Sequence, residues 1–282
     1  MARQARRRAR PGDGGGGGGT ASLNPVEILS GWGEAVRIAA GALIAPPLAL
    51  CGIALEAPRK GELAQAARGF PVVGLGIGLA AALAYAISDG LGLPPLISAI
   101  FAIAVMAFAT GARPEGGLAR MADATVAAGA KAERLRILKE ERFAQYGILV
   151  LLVAFALRVG AVAWIAAPGR AALALIAAAA ASYGVLPAVL HTLPAARRSG
   201  LAFTAGEPRL DQAVLAAALG AAVALLLLGP MVGVVALAVG ALGALKFAWL
   251  ARRMIGGVTT SVLGAVQQGA EIGVLLAVVA MA

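Results

Sequence analysis

The sequence predicts an all-α protein: a polytopic membrane helical bundle of about seven spanning helices, preceded by a broken N-terminal segment that is re-entrant or interfacial. Three observations predict this. Hydrophobic residues make up 60% of the chain and charged residues only 13%, against about 25% charged in a soluble domain. Apolar runs recur at about 20 residues, the length that crosses a bilayer as a helix. Basic residues fall in alternate connections between these runs, the asymmetry that orients membrane proteins.

Taken in order, residues 1–34 read as a disordered, basic, glycine-rich tail. Arg3, Arg6, Arg7, Arg8 and Arg10 open it, and Gly14 to Gly19 follow without a break. Such a composition cannot bury enough surface to fold. No aromatics interleave the arginines, so the expected partner is anionic lipid and not nucleic acid. Residues 35–282 form one integral membrane domain.

The run 35–55 is interrupted by Pro46-Pro47. Each proline removes a backbone donor and clashes with the preceding turn, so neither half is long enough to span. The spanning runs are 70–88, 91–110, 146–167, 171–194, 213–229, 231–250 and 258–282. Alanine and glycine dominate them, and small residues let helices approach closely where lipid gives no hydrophobic drive. The basic connections are 56–69, 111–145, 195–212 and 251–261. Placed inside, they give a multi-pass protein of the cell inner membrane with a cytoplasmic N-terminus and its chemistry-bearing loops on that same face. The single Cys51 forms no internal disulfide, and the lone His191 reads as a helix-end residue.

Two opposite charges lie deep within spans, at matching depth. Arg158 is about twelve residues into its helix, roughly 18 Å deep at 1.5 Å per residue, and Glu271 is roughly 20 Å into its own. An ionised group at such depth usually faces a partner or a wet cavity, so these two are expected to pair and their helices to be neighbours.

The polar stretch TGARPEGGLARMADA at 110–124 looks like the start of an acidic metal-binding motif. It resembles the T-G-A-x-H-E-D-G-L-A-D-T-A-D-G pattern of the adenosylcobinamide-GDP ribazoletransferase (cobalamin-5'-phosphate synthase) family. RLRILKEERFAQYG at 134–147 is similar to that family's R-x-x-I-M-K-D-S-R-x-G-x-x-G. RRMIGGVTTSVLGAVQQGAEIGVLL at 252–276 is similar to its R-x-x-G-G-x-T-G-D-x-L-G-A-x-Q-Q-x-A-E-I. GFPVVGLGIG at 69–78 and LPAARRSGLAFTAGEP at 193–208 add two further collinear resemblances, so most of residues 60–282 are covered.

The resemblance implies cobalamin biosynthesis. Cobinamide phosphate passes from adenosylcobinamide-GDP to α-ribazole, or to its 5'-phosphate, with release of GMP. It implies Mg²⁺ held by carboxylates to neutralise the phosphates. On this chain Asp123, Glu115 and Glu140 would be the ligands, and Asp123, Glu115 and Lys139 the catalytic groups. Arg142, Arg120, Gly256, Gly257 and Thr259 would bind substrate.

The chain departs from the family pattern at telling places. Gly116, Arg120 and Ser261 stand where the pattern has acids, Pro114 where it has histidine, Glu141 where it has serine, and Tyr183 where it has arginine. A guanidinium at 120 repels Mg²⁺ but can pair with carboxylate or phosphate. The alternative is therefore a catalytically degenerate relative that binds a corrinoid intermediate or assembles with other membrane enzymes of the pathway. A small-solute transporter sharing only composition fits less well, because the charges lie in loops and no inverted repeat is visible.

Overall fold

The structure is a computed structural model that describes residues 25–44, 58–140, 142–165 and 167–282, with side chains from residue 29 on. Pro46-Pro47 and Cys51 lie outside the described residues, as do residues 1–24. The reading of a break at the prolines therefore stays an expectation.

The chain starts with helix α1 (Pro25–Leu43), followed by the short α2 (Glu62–Gln65), a 3₁₀ turn at Ala67–Gly69 and α3 (Phe70–Gly90). α1 begins ten residues inside the stretch expected to be tail, with Pro25 at its first position, where a missing N–H costs nothing. It is tied to the bundle at two points. Arg68 donates to Gly31 O at 2.8 Å with its guanidinium over the Trp32 ring, and Arg113 donates to Ala42 O at 2.9 Å.

Residues 111–145 are not the open polar loop that their charge suggests. After α4 (Pro95–Thr110), the chain turns by 87° into α5 (Arg113–Val126), and α6 (Lys131–Ile137) follows. The bend has a local cause. Gly111 and Ala112 both take left-handed backbone angles, and their N–H groups return to Phe108 O and Ala107 O. That pattern closes a helix C-terminus. Pro114 then sits in the first turn of α5, where proline is tolerated.

The remaining elements are α7 (Gln145–Ile165), α8 (Pro168–Gly184), α9 (Leu186–Thr192), α10 (Leu201–Ala205), α11 (Leu210–Leu228), α12 (Pro230–Ile255) and α13 (Thr260–Ala280). Among the described residues six helices are long and apolar enough to cross a membrane, and the bent α4–α5 pair makes seven if taken as one span. The protein is a polytopic helical membrane protein.

α13 is the central helix: 78% of its apolar window is buried, against 22% for α11 and α12. Small residues allow this. A methyl on Gly117 of α5 would lie 2.6 Å from Ser261 O, and one on Gly264 of α13 would lie 2.9 Å from Pro114 O. The two backbones touch with no side chain between them, the close approach on which helix association in lipid depends. This contact sets α5, which carries Glu115 and Asp123, directly against α13.

Candidate functional site at the loop-bearing end

The expected metal ligands do not converge. Glu115, on the first turn of α5, points into the bundle. Its Oε1 accepts from Arg158 Nη1 at 2.8 Å and from Gln268 Nε2 at 3.4 Å. Arg158 also meets Glu271, its Nη2 lying 2.6 Å from Oε1 as an ion pair without a well-aligned hydrogen bond. Gln267 Nε2 donates to Glu271 Oε2 at 2.6 Å and to Ser182 Oγ at 3.1 Å, and Gln268 Nε2 donates to Gln267 Oε1 at 3.0 Å. One guanidinium and two carboxylates thus join α5, α7 and α13. A buried charge needs such partners, because leaving it unpaired costs several kcal/mol.

Asp123 is buried and both its oxygens are taken. Oδ2 accepts the Ala144 N–H at 2.9 Å and Oδ1 the Gly147 N–H at 2.6 Å. These amides belong to the start of α7, where no helical acceptor exists and the helix dipole favours a negative charge. Asp123 therefore caps α7 from a neighbouring helix. Gly147 has no room for a Cβ: a methyl there would overlap Asp123 Oδ2 and lie 2.9 Å from Ala119 O.

Glu140 is paired with Arg136, which also bonds Glu133 at 2.6 and 2.8 Å. Among the described residues no three acidic, histidine or cysteine side chains gather where they could hold a metal. Glu115 faces an arginine, Asp123 a helix start and Glu140 a surface ion pair. This set does not fit Mg²⁺, and the physical reason is that each carboxylate already has a cationic or N–H partner.

What does converge is the group of positions where the resembled pattern has acids. Arg120 Nε donates to Ser261 Oγ at 3.1 Å, and Ser261 Oγ donates to Leu138 O at 2.8 Å. Arg120 Nη1 reaches Glu140 O at 3.5 Å, and its guanidinium lies 5.8 Å from the Phe143 ring centroid. A methyl on Gly116 would come within 3.3 Å of Arg120 Nη2. Positions 116, 120 and 261 are therefore neighbours, with a cation at their centre.

The rest of the end is organised by the start of α13. Thr259 caps it, its Oγ1 accepting the Val262 N–H at 3.3 Å. Residues 194–196 run beside it: Ala196 N donates to Val258 O at 2.9 Å, and Val258 N donates to Pro194 O at 2.8 Å. A methyl on Gly257 would overlap Pro194 O, so this close pairing needs glycine there. Gly256 takes a left-handed conformation at the end of α12, and a methyl on it would lie 3.4 Å from Lys131 Nζ. Lys139 and Arg142 are exposed between α6 and α7. Arg197 is a further basic residue at this end that the motif comparison does not single out. Only its place in a basic connection points to it.

The family described as Cobalamin-5-phosphate synthase matches residues 44–279 of the chain. The adenosylcobinamide-GDP ribazoletransferase of Bradyrhizobium diazoefficiens is 42% identical over 216 residues, 77% of this chain and 83% of the relative. The protein of the same name from Azorhizobium caulinodans is 39% identical over 233 residues, 80% and 88% of the two chains. That from Mesorhizobium japonicum is 38% identical over 214 residues, 76% and 82%. No solved structure matches.

Proposed function

The chain belongs to the cobalamin-5-phosphate synthase family, and from that premise we propose that it acts in cobalamin biosynthesis as a ribazoletransferase. The observation that carries the reading is the extent of the likeness, 42% identity across 83% of a relative named for that activity. In the reaction a ribose hydroxyl oxygen of α-ribazole, or of its 5'-phosphate, forms a bond to the cobinamide-linked phosphorus of adenosylcobinamide-GDP. The P–O–P bond breaks, GMP leaves with the electron pair, and the hydroxyl proton is lost.

Such a transfer depends on positioning and on cations near the charge that builds on the leaving phosphate. The loop-bearing end supplies cations: Arg120, Lys139 and Arg142, with the Gly256-Gly257 turn and Thr259 beside them. We assign these a phosphate-binding role. Asp123 acts as a positioning residue, because it fixes α7 and with it the Arg142-bearing segment. The same end faces the cytoplasm of an inner membrane, since it carries the basic connections.

The test is an assay of the purified full chain with adenosylcobinamide-GDP and α-ribazole, GMP release being measured. Release that depends on both substrates and falls about 10- to 100-fold in Arg120→Ala, the loss of a charged hydrogen bond, supports the reading. No release above an empty-membrane control would sink it. A second reading is favoured by one observation, the Arg120–Ser261 contact at positions where the resembled pattern has acids. On that reading the chain binds a corrinoid without turnover, and it would retain adenosylcobinamide-GDP on a filter while releasing no GMP.

A further inference from the structure

Lys246 is a third charge within a span, and unlike Arg158 and Glu271 it faces outward. It lies in α12, ahead of Arg253 by seven residues, and so about 10 Å further into the bilayer at 1.5 Å per residue. Its side chain is exposed, and among the described residues it forms no ion pair and no hydrogen bond. Charges in spans almost always turn to the bundle interior and pair there, because hydrocarbon solvates them badly. A lysine left on the lipid side reaches toward the headgroups, and its counter-charge has to come from the lipid.

The surroundings of Lys246 are shaped to hold one. α7 and α12 both pack against α13 and leave a groove of about 430 Å³ between them. Val153 and Leu157 of α7 form one wall, Leu242 and Lys246 of α12 the other, and Gly269 and Gly273 of α13 lie at the floor. Every lining residue but Lys246 is apolar. Leu242, Lys246, Trp249 and Arg253 follow one another at spacings of four, three and four, which places them on one face of the helix. Trp249 is 56% exposed, and the Arg253 guanidinium lies 4.8 Å from its ring centroid. Exposed tryptophan is characteristic of the headgroup level. The stripe therefore runs from an apolar groove, past one cation and a headgroup-level tryptophan, to a second cation. Neither α7 nor α12 contains Asp or Glu. The ammonium of a zwitterionic headgroup finds no partner on these walls and meets two like charges instead.

We propose that the groove between α7 and α12 binds an anionic phospholipid, with its phosphate between Lys246 and Arg253 and one acyl chain along the groove. Basic pockets between spanning helices take headgroups of this kind. The bound lipid joins the two walls, which lead to the Arg142 segment and to the Gly256-Gly257 turn. The inference does not depend on the transferase reading.

The full chain is purified in detergent and given equal amounts of phosphatidylglycerol and phosphatidylcholine with the same acyl chains. Retained lipids are then identified by native mass spectrometry. The natural protein retains phosphatidylglycerol preferentially. Lys246→Met, which keeps length and loses charge, cuts that preference about fivefold, the worth of one lysine near an anionic membrane surface, whereas Lys246→Arg keeps it. Leu242→Trp, which narrows the groove and leaves every charge in place, lowers retention of phosphatidylglycerol. Arg198→Gln removes an exposed cation of the same end outside the groove and changes nothing. Should Lys246→Met fail to insert, Arg253→Gln makes the same comparison at the second cation.

Equal retention of the two lipids by the natural chain would overturn the proposal, because the apolar groove alone would then be holding them. An equal loss in Arg198→Gln would do the same, by reducing the effect to general surface charge. So would retention that neither Lys246→Met nor Leu242→Trp alters. Crosslinking of Leu242→Cys between two copies in bilayers, in a chain lacking Cys51, would put a second copy in the groove and overturn the lipid as occupant.

Discussion

Two arginines in this chain each stand between two glutamates, and they do opposite things. Arg136 holds Glu133 and Glu140 along the short helix α6, with the three side chains 62%, 40% and 41% exposed. Arg158 holds Glu115 and Glu271 between three helices, with exposures of 2%, 18% and 1%. The first trio is local in sequence and wet; the second spans 43 and 113 residues of chain and is dry. Charge composition is identical, so burial and sequence separation decide what each does. The wet trio decorates a helix, whereas the dry one specifies which helices are neighbours.

The largest expected effect follows from the dry trio. Arg158→Met leaves two carboxylates in the bundle without their cation, which costs about 3–5 kcal/mol in buried pairs of this kind. Detergent-solubilised protein should unfold at much lower temperature or fail to fold. Adding Glu115→Gln and Glu271→Gln to Arg158→Met should recover most of the loss, because the uncompensated charges go with the partner. A loss below about 1 kcal/mol, the range of exposed pairs, would erase the contrast.

Asp123 comes next, since it is charged and buried like the dry trio but bonds backbone N–H groups. Asp123→Asn leaves one acceptor oxygen for two amides and should cost about 1–3 kcal/mol. Hydrogen exchange at Ala144 and Gly147 should speed up selectively. Gly147→Ala should be worse, because its methyl has no space beside Asp123 and Ala119. Unchanged exchange at both amides would remove the capping role and return Asp123 to the pool of chemical groups.

The bundle is legible in the sequence because apolar run length maps directly onto span length. The expected runs 213–229 and 231–250 match α11 and α12 to within a few residues at most ends. A contact between Arg158 and Glu271 is readable from depth alone, since helical rise is fixed. That Glu115 joins them is not readable, because it depends on the 87° turn between α4 and α5. The signal for that turn is present in Gly111 followed by Pro114, a helix stop and a helix start. The abundance of charge in 111–145 hides it. Asp123 misleads for a related reason: its partners are backbone groups 21 and 24 residues away, and no side-chain pattern encodes them.

Arg120 lies between the extremes, partly buried and bonded to a serine. Replacing the three neighbours together, Gly116→Asp, Arg120→Asp and Ser261→Asp, removes the guanidinium and brings carboxylates to one place. The triple variant should bind Mg²⁺ at least about tenfold more tightly than the natural chain, read by calorimetry, because oxygen ligands and charge count set affinity for hard cations. Equal affinity would mean that the three positions do not converge as closely as the Arg120–Ser261 hydrogen bond implies.

The smallest effect belongs to the wet trio. The hydrogen bond from Arg136 holds the Glu133 carboxyl below its usual pKa of 4.5, with the charge of Arg136 adding to it. A depressed folded-state pKa stabilises the protein above the unfolded value, and that contribution is lost as pH falls through the folded one. The dependence therefore falls below pH 4.5, and the pair is fully formed at neutral pH. It still contributes little, since solvent screens it and two long side chains lose freedom to hold one geometry. Glu133→Gln should leave the unfolding midpoint of the detergent-solubilised protein unchanged at neutral pH, and about 1 M salt, which screens charges beyond about 3 Å, should not separate variant from natural chain. A clear drop in midpoint would mean that α6 is held in place by this pair. Arg136 would then belong with Arg158 as an element that positions Leu138, and through it Ser261, at the site.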